Sequence, residues 1–265
     1  MENITQHWDR KNLGEQILNR LTEIHGTTDG LNIDDFAPFD QFHGGGKEKT
    51  VQLARIVGVT SGMKVLDVGG GLGGPARTLA VEFDCIVTVV DPAPSYIEAG
   101  RSFTRRLKLT NRITHIEGDA LNLPSSLGEF DVVWTQNSGM NIADKQQLYQ
   151  GFKQRLRPGG LLAIQEPVAG PVAPPIFPLM WANEPSSNFL LTANELLDVI
   201  KSAGFSARDW EVLTPASRSA SSSNINDTIQ NIVMGEALES ITKAQQRNRE
   251  EGRIQAVQAV FEALQ

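Results

Sequence analysis

Short apolar runs alternate with longer amphipathic segments along most of the 265-residue chain. The runs are short and rich in Val and Ile, which favours strands, whereas apolar residues spaced three and four apart favour helices. Strands are predicted at residues 64–68, 86–90, 113–117, 130–135, 161–166, 206–213 and 254–261, and helices at 75–82, 95–107, 145–156, 192–203 and 227–248. This alternation predicts an α/β fold with a doubly wound, parallel sheet.

A helical arm precedes this alternation. Apolar residues recur on one helical face from 4 to 24, and helical spacing resumes from 47 to 57. Between them, residues 32–43 mix acids, prolines and aromatics and are predicted to form an ordered loop. We therefore predict a helical N-terminal arm with a lid loop over residues 1–58 and an α/β domain over residues 59–265.

The second half of the chain contains a proline-rich, apolar insertion at residues 167–190. Its prolines exclude a regular helix or strand, and it is too hydrophobic for a free linker. The insertion is therefore predicted to form a small cap over the substrate pocket. A serine-rich stretch at residues 216–224 is predicted to be a linker.

Glycines at alternate positions follow the first predicted strand, at Gly69, Gly71 and Gly73, with Gly70 among them. They allow the backbone to turn sharply and to approach a ligand closely, and Pro75 suits the first turn of the helix that follows. The unpaired N–H groups at the start of that helix favour a bound cofactor. The spacing also satisfies the dinucleotide fingerprint, which alone is a weak indication.

Three acidic residues lie at the ends of three consecutive predicted strands. Asp67, two residues before the first glycine, repels a pyrophosphate and suits a cation such as the amino group or sulfonium of S-adenosylmethionine. Asp91, followed by Pro92, is placed to accept both ribose hydroxyl groups, a feature shared with NAD enzymes. Asp119, followed by Ala120, is placed to bind the exocyclic amine of adenine.

With these motifs the chain resembles the class I S-adenosylmethionine-dependent methyltransferases. Residues 65–74 resemble motif I of that family, and residues 157–160 resemble its pre-strand turn. The resemblance implies a Rossmann-like sheet, mostly parallel with an antiparallel C-terminal strand. It also implies S-adenosylmethionine as the cofactor, with S-adenosylhomocysteine as its product, and cofactor contacts from Gln41 and Gln136 beside the residues named above.

Three further stretches are similar to small-molecule members of this family, such as sarcosine, dimethylglycine and quinone-ring methyltransferases. These stretches are residues 40–46, 140–142 and 252–255. The resemblance therefore implies a small metabolite as the substrate. The motifs identify neither that metabolite nor the N, O, S or C atom that accepts the methyl group.

Four polar residues are candidates for catalytic roles. His43 precedes three glycines and is the best candidate for a general base, with anchoring of the loop as an equal alternative. Gln136 and Asn137 follow a predicted strand. Relatives commonly carry a histidine at the position of Asn137, and a histidine can act as a base whereas an amide cannot. Glu166 ends the next strand and is a candidate to bind a substrate amine or accept a proton, the alternative being a partly solvated structural acid.

The other histidines are predicted to be structural, two on helix surfaces and one in a strand: His7, His25 and His115.

The predicted substrate contacts are mostly apolar. Phe177 and Trp181 lie in the predicted cap and are candidates to stack on an aromatic substrate or to hold an ammonium group. Alternatively, they form the core of the cap. The remaining predicted substrate contacts are Phe39, Met140 and Asn141.

Composition and charge disfavour several functions. The formal net charge is −7, from 24 basic and 31 acidic residues, whereas binding to nucleic acid requires clustered Lys and Arg. A single cysteine, Cys85, allows no internal disulfide and indicates a reducing compartment. No leader, membrane-spanning run or metal-ligand spacing is recognised. We therefore predict a soluble cytoplasmic protein without nucleic-acid, membrane or metal partners.

Two alternative functions remain open. An NAD-dependent oxidoreductase is disfavoured by Asp67 and Asp119, and a cofactor-binding assay distinguishes it. A non-catalytic protein that binds S-adenosylmethionine is left open by the amide at Asn137. Such a protein binds the cofactor without consuming it.

Overall fold

A single mixed sheet organises the computed structural model, which describes residues 7–213 and 229–264. Over the described residues the sheet has seven strands in the order β3-β2-β1-β4-β5-β7-β6. The strands are β1 Lys64–Val68, β2 Ile86–Asp91, β3 Ile113–Glu117, β4 Phe130–Gln136, β5 Leu156–Ala169, β6 Phe205–Leu213 and β7 Ile254–Ala263. The helices are α1 Leu13–His25, α2 Ile33–Asp40, α3 Gly46–Val57, α4 Gly74–Glu82, α5 Pro94–Arg106, α6 Lys145–Lys153, α7 Ala193–Ser202, α8 Ile229–Met234 and α9 Leu238–Glu250.

The sheet is mostly parallel. Strands β1 to β5 pair in parallel, and β7 pairs antiparallel with both β5 and β6. Buried clusters cover both faces: Leu66 and Val68 belong to one, and Val65 to the other. The strand order reverses between β1 and β4, which is where ligands bind in doubly wound folds. The predicted fold class, including the antiparallel C-terminal strand, is confirmed.

Residues 33–40 form helix α2, so the prediction of a loop from 32 to 43 was wrong. The side chain of Asn32 accepts the N–H of Asp34, and the carboxylate of Asp35 accepts the N–H of Asn32, which completes a capping box. Phe36 and Phe39, three residues apart, bury the same face of this helix. The capping signal and the buried face therefore outweigh the proline in this segment.

A buried ion pair fixes α2 to the glycine-rich turn. The guanidinium of Arg77, on α4, donates to Asp40 Oδ2 over 2.8 Å and 3.0 Å, and both side chains are almost fully buried. The same guanidinium donates to the carbonyl of Leu72 over 2.7 Å. The end of the arm is thus held against the turn that follows β1.

Strand β5 is longer than predicted and enters the proline-rich insertion. It runs from Leu156 to Ala169. Its first residue lies where the helix 145–156 was predicted, since α6 ends at Lys153. Strand β4 ends opposite Gln165, so Pro167 has only β7 beside it, paired at Ala256. The missing N–H of Pro167 therefore interrupts no ladder with β4.

The predicted N-terminal and C-terminal helices are each broken at a residue with positive φ. Asn12 has φ 55° and α1 begins after it, although the prediction began at residue 4, outside the described part. Gly235 has φ 51° and separates α8 from α9, although one helix was predicted over 227–248. The start of that helix and the linker at 216–224 also lie outside the described residues. No helix in the described ranges is both long and apolar enough to cross a membrane.

Candidate functional site

The glycine-rich turn after β1 forms the floor of the candidate site. Gly69 and Gly71 have positive φ values of 69° and 53°, and the N–H of Gly69 donates to the carbonyl of Val90 over 2.8 Å. A Cβ on Gly69 would lie 2.4 Å from the Cβ of Ser138, and one on Gly70 would lie 2.6 Å from Asp67 Oδ2. These positions therefore require glycine for both backbone conformation and space.

A cavity of about 660 Å³ opens above this turn. This volume lies within the range of about 300–1,000 Å³ typical of small-molecule sites. The predicted cofactor contacts that line it are Asp67, Gly69, Gly70, Gly71, Asp91, Pro92, Asp119, Ala120 and Gln136. The predicted catalytic and substrate residues that line it are His43, Asn137, Asn141 and Trp181. The predicted site residues that lie outside its lining are Gln41, Gly73, Phe39, Met140, Phe177 and Glu166.

Asp67 has an unusual environment. Its side chain is 1% exposed, and neither carboxylate oxygen has a hydrogen-bond partner among the described residues. Burial, and secondarily the negative charge of Asp91, raise the pKa of Asp67 to about 7. A donor or cation in the cavity would relieve this unsatisfied group.

Asp91 is held by backbone donors. Its Oδ2 accepts the N–H of Gly71 and its Oδ1 accepts the N–H of Ala93, each over 2.9 Å. Burial raises the pKa of Asp91 to about 6, partly offset by these two hydrogen bonds. Each oxygen keeps a further lone pair, so the carboxylate can still accept two hydroxyl groups.

Asp119 lies at the exposed edge of the cavity. It caps the 3₁₀ turn Ala120–Asn122, where its Oδ1 accepts the N–H of Leu121 over 2.9 Å. Its Oδ2 accepts the side-chain amide of Asn122 over 2.7 Å. The carboxylate is therefore oriented, and it retains acceptor capacity toward the cavity.

His43 is a buried, neutral imidazole at the cavity wall. Its Nε2 donates to Gln41 Oε1 over 2.9 Å, and the amide nitrogen of Gln136 approaches Nδ1 at 3.4 Å. Burial lowers the pKa of His43 to about 4. Nδ1 therefore carries the lone pair of the ring at neutral pH and is its proton-accepting atom, with the amide nitrogen of Gln136 as its contact.

Gln41 supports His43 and does not line the cavity. It is 6% exposed, and its amide nitrogen donates to Thr78 Oγ1 over 3.0 Å. This fixes its amide oxygen as the acceptor for His43. Thr50 Oγ1 lies 3.2 Å from His43 Nε2 and donates to Gln136 Oε1 over 3.0 Å.

The amide of Gln136 is fixed on both sides. Its oxygen also accepts the indole N–H of Trp134 over 2.9 Å, and its nitrogen donates to Gln165 Oε1 over 3.0 Å. Asn137, the next residue, adopts φ 55° while its backbone N–H donates to the carbonyl of Gln165. Asparagine tolerates this left-handed conformation better than most residues, so the backbone conformation explains an asparagine at position 137.

Glu166 lies beneath the cavity wall. Its side chain is 2% exposed, so it is not the partly solvated acid that was the alternative prediction. Its oxygens accept the N–H of Gly139 over 3.0 Å and 3.1 Å, and Thr135 and Ser138 add longer contacts. Burial raises its pKa, and these hydrogen bonds oppose the shift. Glu166 therefore orients the turn after β4 and does not reach the cavity itself.

The predicted substrate residues fall into two groups. Trp181 lines the cavity, and its indole N–H donates to Asn188 Oδ1 over 2.9 Å. Phe39 is 1% exposed and packs in the core between the arm and the C-terminal helices. Met140 and Phe177 belong to the apolar cluster inside the cap. Phe177 packs against the buried members of this cluster, which are Met140, Leu179, Trp181 and Ala182.

Several cavity residues were not among the predicted contacts. The prediction that His7 lies on a helix surface was wrong: it is 9% exposed, lines the cavity and donates from Nε2 to the carbonyl of Met180 over 3.1 Å. Trp8 packs edge-to-face on Phe42 at 5.4 Å between ring centroids. The position of Phe42 beside His43 in the sequence was an available signal. Phe189, Asp144 and the other missed residues become neighbours only through the fold.

Comparisons with known proteins agree with this geometry. Residues 65–160 match the family described as methyltransferase domain. The chain is 34% identical over 132 residues to the methyltransferase GfsG of Streptomyces halstedii, covering 50% of this chain and 48% of that protein. It is 32% identical over 123 residues to a glycine/sarcosine/dimethylglycine N-methyltransferase of Actinopolyspora halophila, covering 46% of this chain and 22% of that protein. The chain thus spans about half or less of the length of these curated relatives.

Solved structures show the same fold at low sequence identity. A phosphoethanolamine N-methyltransferase of Haemonchus contortus has a TM-score of 0.73 and 18% identity, covering 100% of this chain and 61% of that one. The [4+2]-cyclase SpnF has a TM-score of 0.67 and 19% identity, covering 95% and 96%. A geranyl diphosphate methyltransferase has a TM-score of 0.67 and 18% identity, covering 98% and 97%. By its sheet order this chain has the class I methyltransferase fold, and its residues 65–160 match the methyltransferase domain family.

Proposed function

We propose that this protein is an S-adenosylmethionine-dependent methyltransferase that acts on a small metabolite. The observation that carries the proposal is the carboxylate of Asp67, which is buried at the cavity floor with no hydrogen-bond partner among the described residues. An isolated buried carboxylate is destabilising unless a donor or cation reaches it. The ammonium or sulfonium end of the proposed cofactor supplies that partner, whereas the pyrophosphate of NAD would be repelled.

The remaining acids fit the nucleoside part of the same cofactor. Asp91 keeps two lone pairs for ribose hydroxyl groups, and Asp119 is an oriented acceptor for an adenine amine. The positive φ values of Gly69 and Gly71 allow the backbone to approach the ligand closely. The alternative of an NAD-dependent oxidoreductase is disfavoured by Asp67 and Asp119.

The protein contributes alignment, exclusion of water and a proton acceptor. When bound, S-adenosylmethionine supplies an activated methyl group on a positively charged sulfur. Alignment of such a group with an acceptor supplies about 7 kcal/mol or more in favourable cases. The arm, the 43–46 turn and the cap enclose the acceptor side, and Trp181 is held in place by Asn188. His43 Nδ1 accepts the proton when the acceptor arrives protonated.

The substrate, compartment and domain division are part of the proposal. The relatives act on different molecules, and SpnF is named as a cyclase, so the fold alone does not determine the reaction. The buried, unpaired thiol of Cys85 fits a reducing compartment such as the cytoplasm. We place the arm at residues 1–58 and the methyltransferase domain at 59–265, with no nucleic-acid or membrane partner.

A product assay tests the reaction. The protein is incubated with S-adenosylmethionine and a panel of amine, phenol, thiol and carbon acceptors, and S-adenosylhomocysteine is measured by mass spectrometry. We expect the product to accumulate only when an acceptor is present. A protein that binds the cofactor and forms no product with any acceptor is the non-catalytic alternative.

A further inference from the structure

The cavity has a charge pattern that cofactor binding alone does not explain. Its described lining includes the carboxylate of Asp144, together with His7 and His43, and contains no lysine or arginine. The three cofactor-side acids line the same cavity, and the carboxylate of Asp40, which also lines it, is paired with the guanidinium of Arg77. An excess of acids over cations in a cavity repels anions and raises the local concentration of cations.

Two cations close to the lining are engaged elsewhere. Lys145 follows Asp144, but its ammonium group donates to the carbonyl of Phe189 over 2.8 Å and to that of Ile142. Arg77 lies behind Asp40, and its guanidinium donates to that carboxylate and to the carbonyl of Leu72. Neither side chain lines the cavity. A phosphate or carboxylate on a substrate would therefore meet no charged partner among the described residues.

Aromatic side chains line the same cavity. Trp8 and Phe42 pack edge-to-face at an interplanar angle of 88°. Trp181 and Phe189 line it as well. Asn188 accepts the indole N–H of Trp181 over 2.9 Å, and Trp8 packs against the cluster that contains Trp181. Indole and phenyl faces bind organic ammonium groups and also receive apolar groups.

We propose that the site, if it performs the proposed methyl transfer, selects an apolar substrate that carries a basic amine, and rejects substrates that carry a phosphate or carboxylate. The aromatic side chains bind the apolar body, and Asp144 attracts the ammonium group. Two structural neighbours differ here, because they were solved in complex with geranyl diphosphate and with phosphomonomethylethanolamine, which are both phosphorylated. The shared fold therefore does not predict a shared substrate class.

Matched probes test this selectivity. Phenylbutylamine, phenylbutanol and phenylbutyrate have the same apolar body and differ in head-group charge. Their dissociation constants are measured by calorimetry on protein saturated with S-adenosylhomocysteine, so cofactor binding is established first. We expect the amine to bind at least about tenfold more tightly than the carboxylate, with the alcohol between them.

A variant assigns the preference to Asp144. Asparagine also caps helices well, so Asp144→Asn keeps the contact to the N–H of Gln147 that starts α6. We expect this variant to lose part of the affinity for the amine and to bind the alcohol unchanged. The exposed Asp198→Asn, on α7, is the matched control and should bind all three probes as wild type does. Binding of the carboxylate as tight as that of the amine, or no binding of any probe, would overturn the inference. Absence of S-adenosylhomocysteine binding would overturn the proposed function instead.

Discussion

The buried carboxyl group of Asp67 destabilises the ligand-free fold when it is ionised. A carboxyl group with a pKa near 7 in the folded protein and about 4 in the unfolded chain retains its proton longer in the folded state. Between about pH 4 and pH 7 the folded protein therefore binds more protons, and the free energy of unfolding falls as the pH rises. Above that interval the loss is complete.

Asp67→Asn should remove the part of this pH dependence that comes from Asp67 and leave the part that comes from Asp91, whose pKa burial also raises. In denaturant unfolding of the ligand-free protein, we expect the variant to gain about 1–4 kcal/mol over wild type at about pH 8 and little at about pH 4. The same variant should bind S-adenosylhomocysteine more weakly, because an amide does not neutralise a cation. The exposed Asp198→Asn is the control and should follow wild type. If the free energy of unfolding changed with pH equally in wild type and in Asp67→Asn, Asp67 would not be the source of the destabilisation.

His43 is expected to act as a base in its neutral form. Since burial lowers its pKa to about 4, the imidazole is neutral throughout the physiological range, and the rate should fall only below about pH 5. His43→Ala should lower kcat at saturating substrate and leave the affinity for S-adenosylhomocysteine almost unchanged. The more exposed His25→Ala serves as the control. Parallel losses of kcat and cofactor affinity in His43→Ala would mean that His43 only anchors its loop.

At the scale of elements, the turns after β1 and β4 are in contact with each other. Gly69 packs on Ser138, whose turn is held from below by Glu166. A side chain at position 69 would therefore separate the cofactor turn from the turn that leads to the substrate wall.

Gly69→Ala should abolish cofactor binding and destabilise the fold. Alanine there meets both a φ of 69° and a Cβ contact of 2.4 Å, whereas Gly58 has the left-handed values φ 74° and ψ 39° with open space around it. Gly58→Ala therefore isolates the backbone strain, about 1–2 kcal/mol. Thermal unfolding and calorimetry of both variants separate strain from contact. Equal effects of the two substitutions would show that the contact with Ser138 is unimportant.

The elements that the sequence predicted well are those with a single strong signal. Strand β3 was predicted with the bounds that the structure has, because its apolar run is short and flanked by turns. Helix α2 was missed because Pro38 and the acids outweighed the capping box at Asn32 in the interpretation. The break at Asn12 was missed because a left-handed asparagine has no distinctive pattern in the sequence.

At the scale of the whole molecule, the cavity joins residues that are far apart in the chain. The hydrogen bond from His7 to the carbonyl of Met180 joins the arm to the cap, and Trp8 packs beside it on Phe42. The cofactor end was predictable, because acids at consecutive strand ends meet at one edge of a parallel sheet. The substrate end was not, because Trp8 and Phe189 meet only through the path of the chain.

Calorimetric titration of the ligand-free protein with S-adenosylhomocysteine, and in parallel with NAD, tests the central claim most directly. We predict saturable binding of S-adenosylhomocysteine with a stoichiometry of one and no heat from NAD. The bound form should be stabilised by about 2.7 kcal/mol at a hundredfold excess over the dissociation constant. Binding of NAD without binding of S-adenosylhomocysteine would contradict the account.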